Sequence, residues 1–229
     1  MLDAREQGGR ARAVFVAVMV LVGVRYFGCR ARTFLTMQLK HLDVQPNEMG
    51  PMGVSMYATF GGSGGAQLKS KFKSSTGAET LSYVMVENSN NLILCMRFWI
   101  AAVMLSEWDE RLQQARATGG SSTDFAVNLG EQYLVAHSDN HYRPVYDQAA
   151  FSMNSDGEEK DDDQLRRWFA RFFRDAHVGY HSGRHSFTAR AAAAGLSDIM
   201  VRLMLTMSEN SDVFNFYKHP EAEVRPNAV

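Results

Sequence analysis

The stretch Tyr180-His181-Ser182-Gly183-Arg184-His185-Ser186-Phe187, followed later by Phe216-Tyr217-Lys218-His219, decides how this chain is read. His181 and Arg184 stand three apart, which on a helix places them on one face where both reach the same anion. Ala189 to Ala194 continue that helix, Gly195 stops it, and Ser197-Asp198 caps a new one. Tyr217 arrives after the span of two helices and their turns. An anion clamp followed by a late tyrosine outlines a site where a tyrosine hydroxyl attacks a phosphodiester.

This ordered set resembles the C-terminal catalytic segment of the tyrosine recombinase (phage integrase) family. The family pattern is a His-x-x-Arg-His-[ST]-Phe box, an alanine-rich helix ending in Ala-Gly, a short helix, and a Tyr-x-His ending. His181-x-x-Arg184-His185-Ser186-Phe187, Ala194-Gly195 and Tyr217-x-His219 match it in order. The resemblance implies an α+β, predominantly helical catalytic domain with a small antiparallel sheet. It implies breakage and rejoining of duplex DNA through a 3′-phosphotyrosine, without cofactor or metal, by a homo-oligomer (a tetrameric synapse). His181, Arg184 and Tyr217 are then catalytic, and His185 contacts the substrate. Where the family carries Gly-His or Gly-Trp shortly before its tyrosine, this chain has Leu205-Thr206-Met207-Ser208. Met207 or Ser208 takes that place, and only Ser208 offers a hydrogen-bond donor to a phosphate.

Farther upstream, Gly28-Cys29-Arg30 and the helical pattern Thr33 to Leu42, ending before Asp43, resemble the family's first arginine box. In that register Arg30 is the first catalytic arginine, with Arg25 and Arg32 as alternatives and Thr33 where the family usually has Glu. A solvated arginine at a helix start is the plain reading of the same residue. Val54 to Phe60, Gln67 to Phe72 and Thr80 to Glu87 are β-branched and aromatic enough for strands. Gly61-Gly62-Ser63-Gly64-Gly65 between the first two is a turn and lacks the pattern of a P-loop. Lys69, Lys71 and Lys73 alternate, so all three face one side of the second strand. The resemblance implies a lysine general acid at a hairpin turn here, which assigns Lys73, with Lys71 beside the substrate as the reserve. Three solvated edge-strand lysines would look the same.

The chain has 229 residues, 45% hydrophobic and 21% charged, with a net charge of −1. That size supports one sizeable core. A DNA reader usually has a basic surplus, so DNA contact here requires a local patch. The acidic surplus is concentrated in the run Asp156 to Asp163, an expected loop over 155–163, which leaves the remainder mildly basic. Cys29 and Cys95 stand in apolar contexts without metal-ligand spacing, the mark of buried thiols in a reducing compartment. The apolar run Ala13 to Val24 is too short to cross a bilayer and is followed by Arg25, Arg30 and Arg32 where a signal-peptide cleavage site would lie. It is expected to be a core helix, and the protein to be intracellular and DNA-associated.

Asn91 to Met104 is expected to be a helix resembling the family's Leu-Cys-Pro-Val-Arg segment, with Met96 in the proline's place. Gly119 to Thr123 reads as a loop, and Gln164 to Asp175, with Trp168, Phe169, Phe172 and Phe173, as a core helix. The expected organisation is a single catalytic domain over 1–229, lacking the family's N-terminal DNA-clamping domain. Two other readings compete. His177, His181 and His185 at i, i+4, i+8 align along one helix face as in a metal-dependent hydrolase, but no H-E-x-x-H glutamate accompanies them. A DNA-binding remnant without catalysis would explain the change at Met207 and Ser208.

Overall fold

The computed structural model describes residues 4–46, 54–62, 65–66, 80–86, 88, 90–118, 120–138, 144–149, 170, 179, 181–205, 207 and 214. Its first element, α1 (Ala4–Phe27), contains the long apolar run. Val16, Met19, Val20, Val22, Val24 and Phe27 are all buried in the main core. The run is thus a core helix, and no helix among the described residues is long and apolar enough to cross a membrane. Gly28 ends it: its amide donates to the Val24 carbonyl at 2.9 Å, with φ +66°, a left-handed conformation that glycine adopts without penalty.

The expected helix over Thr33 to Leu42 is replaced by three pieces. These are the short α2 (Ala31–Leu35), a 3-10 turn at Leu39–His41, and the strand β1 (Leu42–Pro46). Tertiary pairing overrides the helical pattern here. Thr36 Oγ1 donates back to the Thr33 carbonyl at 3.1 Å. Leu134 N donates to the Met37 carbonyl at 2.8 Å, and Leu39 N to the Gln132 carbonyl at 2.9 Å. These backbone groups are thereby taken from a continuing helix.

β2 (Val54–Gly61) and β3 (Thr80–Met85) follow. The sheet is antiparallel with order β1-β2-β3, and Ala58 pairs with Leu42 on one side and Tyr83 on the other. The expected strand Gln67 to Phe72 lies outside the described residues, and the third strand of the sheet is instead β1. The glycine turn begins as expected, with positive φ at Gly61 and Gly62.

A 3-10 turn at Leu92–Leu94, capped by Asn91, leads into α3 (Met96–Thr118), which runs well beyond Met104. Met96 is fully buried at its start. Where a loop was expected, only the beginning is one: Ser121 caps α4 (Ser122–Glu131), and Asp124 completes a reciprocal capping box. A second ribbon pairs β4 (Ala136–Ser138) with β5 (Pro144–Ala149). The last elements are α5 (Ser182–Ala193) and α6 (Asp198–Met204). They are separated by Gly195 at φ +78°, and Ser197 Oγ accepts from Met200 N, as the sequence implies. The acidic loop 155–163 lies outside the described residues, as does the expected helix Gln164 to Asp175 apart from Ala170.

The main core joins α1, α2, α3 and one face of the three-stranded sheet. Phe27 is its hub, with ring centroids 5.1 Å from Phe60, 5.8 Å from Tyr83 and 6.3 Å from Phe34. A smaller core contains Phe187, Ala191, Val201, Leu205, Met207 and Phe214.

The β4–β5 ribbon is secured by an arginine. Arg111 is 0% exposed and donates to Glu107 at 2.9 Å, to the Tyr133 carbonyl at 3.0 Å and to the Leu134 carbonyl at 3.1 Å. Its guanidinium lies 4.2 Å from the Tyr146 ring centre. Arg111→Ala would leave these carbonyls without their donor, and should lower unfolding free energy by about 3 kcal/mol. Urea unfolding with an unchanged m-value would read this as a shifted midpoint.

His41 is buried, and its Nδ1 accepts from Gln38 N at 3.0 Å. Burial, aided by the Lys40 charge, pushes its pKa down to about 4. The unfolded chain therefore binds this proton more readily than the folded one. The stabilisation is complete above the ordinary value of about 6.5 and is lost as pH falls through about 4. Urea titrations at pH 7 and pH 4.5 should show a loss on the order of 2 kcal/mol, reduced in His41→Asn.

Candidate functional site

α5 carries the His-x-x-Arg box. It begins as Ser182 Oγ accepts from Gly179 N at 2.9 Å, while the Arg184 and His185 amides bond the His181 carbonyl. Gly183, Arg184, Phe187, Thr188 and Ala191 form its buried face, while His181 and His185 are half-buried. The box thus divides by depth, with its arginine inside and both histidines nearer solvent.

Two glycines bring this helix against the end of α1 and the Gly28-Cys29-Arg30 turn. A Cβ built on Gly183 would lie 2.8 Å from Arg25 N and 3.1 Å from the Leu21 carbonyl oxygen, both backbone atoms of α1. A Cβ on Gly28 would lie 2.7 Å from the Phe187 ring. The turn Gly28-Cys29-Arg30 therefore rests on α5. Arg30 itself is half-buried in extended conformation at the head of α2, its carbonyl accepting from Phe34 N at 3.1 Å.

Arg184 is 0% exposed, and its Nη2 donates to the Leu205 carbonyl at the end of α6. Tyr83 Oη donates to the preceding carbonyl, Met204, at 2.6 Å. A strand and a helix thus grip successive carbonyls where the chain leaves α6. Burial pushes the Cys29 thiol up to about 12, opposed by the Arg184 charge. Burial likewise raises Tyr83, the nearby cysteine adding to the effect and Arg184 opposing it. Both groups stay protonated, and Tyr83 keeps the proton it donates. Electrostatic contact among Arg184, Cys29 and Tyr83 places the neighbour of Arg30 beside Arg184.

Of the two residues that could take the family's His or Trp position, Met207 is buried in the small core with Phe187 and Phe214. It is a packing residue, and Ser208 lies outside the described residues. Tyr217, His219, Lys69, Lys71, Lys73 and His177 also lie outside them. Among the described residues no group of three His, Cys, Asp or Glu could hold a metal. Two cavities, of about 220 and 470 Å³, lie along α3 and are lined by none of the expected site residues.

The sequence reading missed Tyr83 and the contacts of Arg25. Arg25 Nε donates to Ser186 Oγ at 3.0 Å, and the Arg25 carbonyl accepts from Arg190 Nη2 at 2.7 Å. A tyrosine on alternating β3 is ordinary core by pattern, and nothing local indicates that it holds the carbonyl of Met204. No family model, curated protein or solved structure matches this chain.

Alanine is favoured over glycine inside a helix by about 1 kcal/mol. Gly183→Ala should nonetheless destabilise, by about 1–3 kcal/mol, because the clash is with backbone that cannot rotate away. Thermal unfolding would show a lower midpoint. An unchanged or higher one would refute close packing of α5 on α1.

Proposed function

We propose that this chain is a tyrosine-type DNA strand transferase, a recombinase or integrase that works through a 3′-phosphotyrosine. The observation that carries the reading is that the Arg30 turn rests on α5, with Cys29 beside the buried Arg184. The segments that carry Arg30 and Arg184 come from opposite ends of the sequence and pack together, which supports the reading. In this reading Arg30 presents a guanidinium fork to the non-bridging oxygens, stabilising charge as it develops, and Arg184, fully buried against the Leu205 carbonyl, has to turn out of that bond to add a second. Tyr217 Oη attacks phosphorus, and the bond to the 5′ oxygen breaks. His181 orients the phosphate or accepts the tyrosine proton, and Lys73 protonates the leaving oxygen. The phosphotyrosine retains the energy of the broken bond, so a 5′-hydroxyl can reverse the step. His185 and Ser208 contact the substrate, and Lys71 stands in reserve for Lys73. Duplex DNA is the partner, and a homo-oligomer assembled on it the working form.

One observation favours the second reading, a remnant that binds DNA without cutting it. With Met207 turned into the small core, that residue supplies no donor to the phosphate. Loss of one such donor costs about 10²–10³ in rate.

A library of nicked duplexes, in which cleavage releases a short strand and traps the adduct, separates the two readings. The expected result is a slow covalent protein–DNA band, unaffected by chelator, absent in Tyr217→Phe and faster in Ser208→His. DNA binding with no band in either wild type or Ser208→His would establish the remnant. A band lost on chelation would instead favour the three-histidine site.

A further inference from the structure

Resting on the reading of this chain as a DNA-binding protein, we propose that Arg25 and Arg190 form a second phosphate clamp, binding a backbone phosphate of duplex DNA other than the one that reacts. Ser186 and Arg190 are four apart on α5 and share a face. Arg25, from α1, spans both: its Nε bonds Ser186 Oγ at 3.0 Å, and its carbonyl receives Arg190 Nη2 at 2.7 Å. Each guanidinium is thus anchored through one nitrogen. Neither forms an ion pair with a carboxylate among the described residues. Partial desolvation of its otherwise exposed side chain, and then the charge of Arg25, lower the pKa of Arg190, so the two cations repel each other. Tyr26, beside them, also feels Arg97 from α3, while its hydroxyl is fixed by the Val86 amide at 2.6 Å.

Like charges held together without an intervening acid are costly in the free protein, and an anion between them removes the cost. Two forks can take the two non-bridging oxygens of a phosphodiester, which is charged at every working pH. Six residues turn α5 by about 240°, so Arg190 is exposed on a different face from the buried Arg184 and meets its phosphate from solvent, independently of Arg184.

The test measures affinity for a labelled random-sequence duplex as salt is varied. Each phosphate contact adds about 0.9 to the slope of log K against log salt. Arg25→Gln with Arg190→Gln should flatten that slope by about 1.8, without lowering the thermal midpoint, since a repulsive pair is removed. Arg190 is exposed, so Arg190→Gln alone, expected to flatten the slope by about 0.9, serves if the double variant folds poorly. Wild-type binding with an unchanged slope in these variants would overturn the clamp while leaving the strand-transferase reading intact. An unchanged slope with a reduced midpoint would assign the pair to helix packing. Wild-type protein without salt-dependent duplex binding would overturn both readings.

Discussion

Direct backbone contact between α1 and α5 at Gly183 is the constraint on which the rest of the arrangement depends. α1 belongs to the main core, whereas α5 supplies Phe187 and Ala191 to the small one. A side chain at Gly183 would meet the Arg25 amide nitrogen at 2.8 Å, so only glycine permits this approach. Gly28 repeats the device a few residues on, where its missing side chain admits the Phe187 ring. The two contacts seat the Arg30 turn on the helix of Arg184. A glycine inside a helix is a poor choice by propensity, and here close packing outweighs that cost.

The two fully buried arginines show how one side chain can be used differently. Removing a guanidinium from water costs several kcal/mol unless its donors are satisfied. Arg111 has Glu107, two carbonyls and the Tyr146 ring around it, and it ties α3 to the β4–β5 ribbon. Arg184 bonds the end of α6, close to a thiol and a phenol that burial keeps protonated. Tyr83 bonds the adjoining carbonyl, so the exit of α6 is held from two sides. The first arginine stabilises a remote ribbon; the second lies beside the turn that carries Cys29 and Arg30.

Local signals were legible in the sequence wherever one residue determines an outcome. Gly195 ends α5 with positive φ and Ser197 caps α6, both as their identities dictate. The Ser121–Asp124 capping box was equally readable, yet the glycines and serines before it suggested only a loop. The segment after Phe34 misled because its apolar spacing suits a helix, whereas its amides and carbonyls pair with the strand-like segment around Tyr133. That partner is distant in sequence, and no periodicity encodes it. Met207 was ambiguous by alignment alone, and its burial beside Phe187 made it a packing residue.

By itself, the sequence determined the α1 core helix, the helix breaks, and the order of histidine, arginine and tyrosine near the end of the chain. Those follow from short-range chemistry: hydrophobic spacing, side-chain caps and the conformational freedom of glycine. Only tertiary structure decided that Arg184 is buried while His181 stays half-exposed, that Tyr83 helps hold the end of α6, and that Arg25 reaches Ser186 and Arg190. Each depends on two segments far apart in the chain approaching to hydrogen-bond distance. That approach is set by how closely helices and strands can pack, which no single stretch of residues specifies.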